Sequence, residues 1–270
     1  MSKIDERTTS IYFDDWGQGE PAVLLLPGWC VSRSAFDALG EEIGKHRRVL
    51  TLELRGHGEA PSVNSDFSTA DLLADALALV EASGARQVIP LSLSHAGWVA
   101  IELRRALGTR VPGIVLLDWI VLEAPPPFLD ALQGLQDPGR WQQTRDQLFA
   151  LWSKGVADPA VRGFIHRDMG HYGFEMWARA GREIDAAYCE AHSPLMALAA
   201  LTPPVPAVHL YAQPEDAQYL ESQQNFATAH PWFQVQKLPA QSHFPMIEVP
   251  HLVAQAVEEF IARLATGAPR

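Results

Sequence analysis

Hydrophobic residues in this chain fall into short unbroken runs, with polar and helix-spaced stretches between them. The runs are Ala22–Leu26, 48–54, 87–93, 113–117 and Ala207–Tyr211. Apolar runs of that length, bounded by turn residues, read as strands covered on both faces, which is the habit of a mostly parallel sheet. A further strand is expected at 10–13, ending in a turn at 14–19, and a last one at 234–238. Residues 68–82 carry an amphipathic helical pattern, with Ser68 as N-cap and Asp71 at the third helical position. Another helix is expected at 252–264.

The alternation of strands and helices stops between about 123 and 201. Helical segments rich in Trp, Gln and Arg take its place. The expected architecture is therefore α/β. A core of 1–122 and 202–270 is built on a mostly parallel sheet flanked by helices, and 123–201 is inserted as a helical cap. The last four residues, 267–270, are expected to fray.

Composition narrows the function. The chain has 270 residues, 47% hydrophobic and 20% charged, enough for one domain with a real core. A net charge of −11 argues against a nucleic-acid partner and against an anionic membrane surface. Residues 1–9 are polar and lack the apolar centre of a signal peptide, and the longest apolar runs are strand-sized. Two cysteines, Cys30 and Cys189, make neither a disulfide framework nor a metal set, so a cytoplasmic location is expected. No glycine loop of the dinucleotide- or phosphate-binding kind is present.

The chemistry concentrates where strands are expected to end. The run 87–93 stops at Ser94, and helical spacing resumes with Trp98, Ile101, Leu103 and Leu107. A serine between a buried strand and a helix, with small residues on either side, fits a nucleophile elbow. The form here is Ser92-x-Ser94-x-Ala96 with Gly97 one place later, in place of two flanking glycines. The same residues would also suit an ordinary strand-to-helix turn with a serine cap. Pro27-Gly28-Trp29-Cys30, Asp118-Trp119 and Ser242-His243 end other strands, and ligands of open parallel sheets bind along that edge. His243, in a loop before the last helix, is the candidate base. Asp118 is the favoured acid, with Glu215 or Asp216 as the alternative one strand later. Backbone N–H groups of Trp29 and His95 are placed to face a developing negative charge. The side chains of Trp29, Trp119, Trp152 and Phe244 are expected to line an aromatic pocket suited to a flat ring, although each would serve equally as a core residue.

Several stretches together resemble one family. They are Gly28-Trp29-Cys30, Arg55-Gly56-His57-Gly58, Ser92-Leu93-Ser94-His95-Ala96-Gly97-Trp98, Asp118-Trp119, Asp137-Pro138 with Arg140-Trp141, and Ser242-His243-Phe244-Pro245. Met176-Trp177-Ala178-Arg179, Gly181-Arg182-Glu183-Ile184, Ser193-Pro194-Leu195 and Phe226-Ala227 beside His230-Pro231-Trp232-Phe233 add to the match. The pattern is similar to the cofactor-independent ring-cleaving dioxygenases of the α/β-hydrolase fold, which act on 3-hydroxy-4(1H)-quinolones. It runs from about residue 23 to 260.

The resemblance implies an unusual use of a serine–histidine–acid set. His243, paired with Asp118, would take the proton of the substrate's 3-hydroxyl, and the anion would react directly with dioxygen. Ring cleavage would release carbon monoxide and an N-acylanthranilate, with no metal, flavin or other cofactor. Ser94 would orient the substrate. Members acting on methyl-quinolones carry histidine where Val31 and Leu93 stand here, so this site is less polar. That difference implies a longer 2-alkyl chain, as in the branch acting on 2-heptyl-3-hydroxy-4(1H)-quinolone. The rival expectation is a serine hydrolase using Ser94, His243 and Asp118, with Ser94 as nucleophile.

Overall fold

The computed structural model describes residues 2–6, 9–63 and 65–266. Its strands are β1 (Ser2–Glu6), β2 (Thr9–Trp16), β3 (Ala22–Leu26), β4 (Val49–Glu53), β5 (Val88–Leu93), β6 (Ile114–Leu117), β7 (Ala207–Tyr211) and β8 (Phe233–Lys237). They form one sheet in the order β1-β2-β4-β3-β5-β6-β7-β8. β1 pairs antiparallel with β2 and β2 antiparallel with β4, and every other pairing is parallel. Strands β3 to β7 are buried at every position, which is why their sequences read as unbroken apolar runs.

The helices are α1 (Asp37–Gly44), α2 (Thr69–Ser83), α3 (Ala96–Leu107), α4 (Pro126–Gln136), α5 (Trp141–Trp152), α6 (Pro159–Gly163), α7 (Phe174–Ala191), α8 (Pro194–Ala199), α9 (Ala217–Ala229), α10 (Pro245–Glu248) and α11 (Pro250–Thr266). In the core, α1 packs on α11 and α2 on α3. The helix after Ser68 begins as expected, with the Ser68 N–H donating to the Asp71 carboxylate at 2.8 Å. No helix among the described residues is long and apolar enough to cross a membrane.

Four features differ from the sequence-based expectation. β2 continues through Asp14, Asp15 and Trp16, where a turn is expected. Two aspartates are poor strand formers, but Arg33 pairs with Asp14 and Arg48 with Asp15, and Trp16 packs over the bare backbone of Gly40 and Gly44. β1 adds an edge strand within a segment that sequence marks only as polar. α1 and α9 are absent from the expectation; the large apolar residues of α9 are just Tyr219, Leu220 and Phe226, and its periodicity is faint. β8 starts and ends one residue early. The terminus 267–270 lies outside the described residues.

Between β6 and β7 the chain makes α4 to α8. Helices α4 and α7 lie against each other, and Gly181 lets them close up: a Cβ there would stand 2.7 Å from the Leu132 carbonyl oxygen. This helical segment sits at the carboxyl end of the sheet, where α5 brings Trp152 onto the His243 ring.

The sheet order also fixes the place of the site. β3 lies between β4 and β5, so the connection from β3 to β4 and the next one, from β4 to β5, run in opposite directions across the sheet. A crevice opens at such a switch point, beyond the carboxyl ends of the strands. Pro27-Gly28 and Ser94 stand there.

Candidate active site

Ser94 lies between β5 and α3 with φ +51°, in the left-handed region that a residue with a Cβ seldom adopts. Its N–H donates to the Leu117 carbonyl at 2.8 Å, which clips the elbow to β6. The chain at Gly28 passes so close that a Cβ there would stand 3.3 Å from the Leu93 carbonyl oxygen. A Cβ at Gly97 would collide with the Trp119 ring. The second small position of the elbow is therefore displaced by one residue because Trp119 occupies the space. The serine-cap alternative gives way to a true strained elbow.

His243 and Asp118 are in direct contact, with Nδ1 of the imidazole 2.8 Å from Oδ1 of the carboxylate. Asp118 follows β6 with φ +44° and is 2% exposed. Its other oxygen accepts the N–H groups of Ala212 at 2.6 Å and Gln213 at 3.1 Å, just after β7. A buried carboxylate needs such partners. With Nδ1 donating to Asp118, Nε2 of His243 is left with a free lone pair. Trp152 stacks on the ring at 5.2 Å between centroids. Glu248 accepts the Gln241 and Ser242 N–H groups and so fixes the loop that carries the histidine. The alternative acids lie elsewhere: Asp216 caps α9 by accepting the Gln218 N–H at 2.9 Å, and Glu215 is exposed, with its backbone carbonyl accepting from Lys237.

Ser94 Oγ makes no hydrogen bond among the described residues. His243 and Ser94 thus share the crevice without a hydrogen bond between them.

A second corner of the site is built at the end of β3. Cys30 has φ +60°, and its N–H donates to Nε2 of His57 at 2.9 Å. Nδ1 of His57 then carries the proton and gives it to the Arg55 carbonyl at 3.0 Å. Burial lowers the pKa of His57 to about 4, so it is a neutral structural ring. Trp29 stacks on Phe67 at 5.6 Å, and Arg179 lies over the other ring system at 4.2 Å from the Phe67 centroid. His95 is neutral too: burial first, and the neighbouring His243 second, lower its pKa to about 3. Its Nδ1 accepts the Trp119 indole N–H at 3.1 Å, which leaves the proton on Nε2. Phe128 from α4 stacks on that ring.

Of the expected aromatic lining, Trp152 stacks on His243 and Trp29 lies beside the elbow crevice. Phe244 is fully buried between Trp152 and Phe164, and Trp119 is buried behind the elbow, so both back the site up from behind. Val31 and Leu93 are buried at the ends of β3 and β5. Sequence reasoning missed His209, Gln223 and Tyr219, which hold the segment after β6. The one available signal was a histidine in the apolar run Ala207–Tyr211. Among the described residues no group of three His, Cys, Asp or Glu side chains could hold a metal ion.

Residues 23–256 match the profile of the Alpha/beta hydrolase family. A 2-heptyl-3-hydroxy-4(1H)-quinolone dioxygenase of Mycobacteroides abscessus is 37% identical over 254 residues, 93% of this chain and 94% of that protein. The 1H-3-hydroxy-4-oxoquinoline 2,4-dioxygenase of Pseudomonas putida is 32% identical over 97% of this chain and 99% of its own. Among solved structures, an AqdC variant in complex with its substrate, from work on ring cleavage of the Pseudomonas quinolone signal, superposes with a TM-score of 0.92 at 35% identity. That match covers 97% of this chain and 98% of the other. The chain belongs to the Alpha/beta hydrolase family and, within it, to the group of the 3-hydroxy-4-quinolone 2,4-dioxygenases.

Proposed function

We propose that this protein cleaves the heterocyclic ring of a 2-alkyl-3-hydroxy-4(1H)-quinolone with dioxygen, giving an N-acylanthranilate and carbon monoxide. The carrying observation is the His243–Asp118 contact at 2.8 Å in a chain that matches the quinolone dioxygenases almost end to end. Nε2 of His243 takes the proton of the substrate's 3-hydroxyl, and Asp118 stabilises the imidazolium that forms. Dioxygen adds to C2 of the electron-rich anion, and the peroxide closes onto C4. The bicyclic endoperoxide then breaks with loss of C3 as carbon monoxide. Both oxygen atoms of dioxygen remain in the acylanthranilate, so no external reductant is consumed.

Ser94 orients the substrate through its unengaged hydroxyl. The backbone N–H groups of Trp29 and His95, with the N-terminal end of α3, oppose the negative charge on the ring oxygens. The segment 123–201 acts as the cap, setting Trp152 and Phe128 against His243 and His95. Apolar Val31 and Leu93 favour a heptyl over a methyl 2-substituent. Free Cys30 and Cys189 suit a cytoplasmic setting.

The test is oxygen uptake and headspace carbon monoxide from metal-stripped protein with 2-heptyl-3-hydroxy-4(1H)-quinolone. Equimolar oxygen loss and carbon monoxide release support the reading, and no oxygen uptake with either the heptyl or the methyl compound overturns it. The strained elbow at Ser94 favours the hydrolase alternative enough to name its test. An acyl-enzyme mechanism requires an ester-hydrolysis burst and loss of about 10³-fold or more in Ser94→Ala.

A further inference from the structure

The segment after β6 carries two functions at once. Asp118 supplies the carboxylate to His243, and the Trp119 indole donates to His95. Its backbone leaves the sheet abruptly: the Asp118 N–H still reaches the Leu210 carbonyl of β7 at 2.8 Å, and then φ +44° turns the chain away. The next N–H, that of Trp119, has no strand to pair with. It donates instead to Nε2 of His209, at 3.2 Å, from the middle of β7.

His209 is fully buried, and both its nitrogens are used. Because Nε2 accepts, Nδ1 carries the proton, and it donates to Oε1 of Gln223 on α9 at 2.6 Å. Gln223, also fully buried, spends its amide N–H on the Tyr219 carbonyl at 3.3 Å. The Tyr219 hydroxyl closes the ring, donating to the Trp119 carbonyl at 2.8 Å and accepting the Val121 N–H at 3.0 Å. Both faces of the Trp119 peptide segment are thus fixed from α9. A buried polar chain of this kind has one satisfied arrangement of protons, and an unsatisfied one is costly.

We propose that His209 and Gln223 are positioning residues for the His243–Asp118 pair, holding the turn at Asp118–Trp119 so that the carboxylate meets His243 while the indole sets the tautomer of His95. This rests on the reading of His243 as the base. The acceptor on His209 is the working atom. Gln at that position supplies an oxygen at similar reach to receive the Trp119 N–H. Met fills the space and supplies none.

The experiment compares His209→Gln, His209→Met and Gln223→Met in the full chain. Steady-state kinetics with 2-heptyl-3-hydroxy-4(1H)-quinolone give kcat and KM. NMR of histidine-labelled protein without substrate gives the hydrogen-bonded Nδ1 proton of His243. His209→Met is expected to lower kcat by about 10- to 100-fold, the size that a small misplacement at a reacting centre produces, with KM little changed. The His243 proton resonance is expected to move upfield or broaden. His209→Gln is expected to keep both near wild type, and Gln223→Met to fall between them.

A folded His209→Met with unchanged kcat and resonance overturns the proposal. So does a His209→Gln as impaired as His209→Met, which would mean that ring packing alone matters. If His209→Met does not fold, Gln223→Met decides on the same two readouts. The resonance needs no turnover, so a wild-type protein that leaves the quinolone intact overturns the reaction while the resonance still judges the positioning.

Discussion

At the end of β3 the left-handed residue is Cys30, and at the end of β6 it is Asp118. Each turn rests on a buried neutral histidine that accepts a backbone N–H through Nε2: His57 from Cys30, His209 from Trp119. The two differ in where the histidine's own proton goes. His57 gives it to the carbonyl of Arg55, two residues away, so the support is local and travels with its motif. His209 gives it to a side chain on α9, fourteen residues on and in another layer. In the proposed reaction the first turn presents the Trp29 backbone N–H to the substrate anion. The second presents a carboxylate to a base and must hold it in register with a loop from the far end of the chain. A longer-range demand is met by a longer-range support.

The largest expected contrast is between the two left-handed residues themselves. Asp118→Ala removes the partner of His243 and leaves its Nδ1–H unpaired, and kcat should fall by about 10³-fold or more, as should His243→Ala. Cys30→Ala keeps the backbone N–H that His57 accepts, and kcat should stay within about tenfold. Comparable losses in both variants would mean that the turns are not specialised as described.

Acid unfolding tests the shared feature. His57 and His209, with pKa lowered to about 4, and His95, to about 3, are neutral in the fold and become charged near 6.5 when the chain unfolds. The unfolded state then binds more protons below pH 6.5. Their contribution to stability is therefore complete above that pH and is lost as pH falls toward 4, by at most about 1.4 kcal/mol per pH unit for each ring. Urea unfolding followed from pH 7.5 to 4.5 measures the slope, and His209→Gln should flatten it. An unchanged slope in that variant would show that His209 is charged in the fold.

Smaller effects separate support from chemistry. His57→Leu orphans the Cys30 N–H and should cost about 1–3 kcal/mol, read as a lowered urea midpoint. Gly97→Ala forces Trp119 aside and should cost a similar 1–3 kcal/mol, roughly the price of overpacking a core. Ser94→Ala should lower kcat by about tenfold or less, because the serine shares substrate orientation with the backbone N–H groups and takes no proton. A far greater loss in Ser94→Ala would return the serine to the role of nucleophile.

The sequence alone determined the elements whose cause is local. Unbroken apolar runs marked the buried strands β3 to β7, because a strand covered on both faces has no polar side to reveal. Ser68 with Asp71 marked the start of α2, because a cap acts within one turn. Ser94, His243 and Asp118 were legible as strand-end residues, since a parallel sheet offers its ligands only one edge. Tertiary structure decided the rest. It put Asp118, rather than Glu215 or Asp216, against His243, where it also receives the Ala212 and Gln213 N–H groups. It moved Trp119 and Phe244 from the lining to the backing of the site. It made Asp14 and Asp15 strand residues through Arg33 and Arg48. It also revealed α9, whose weak periodicity hid Tyr219 and Gln223. Tyr219 directly, and Gln223 through His209, hold chain about a hundred positions earlier, and one-dimensional spacing carries no record of a contact made across the sheet.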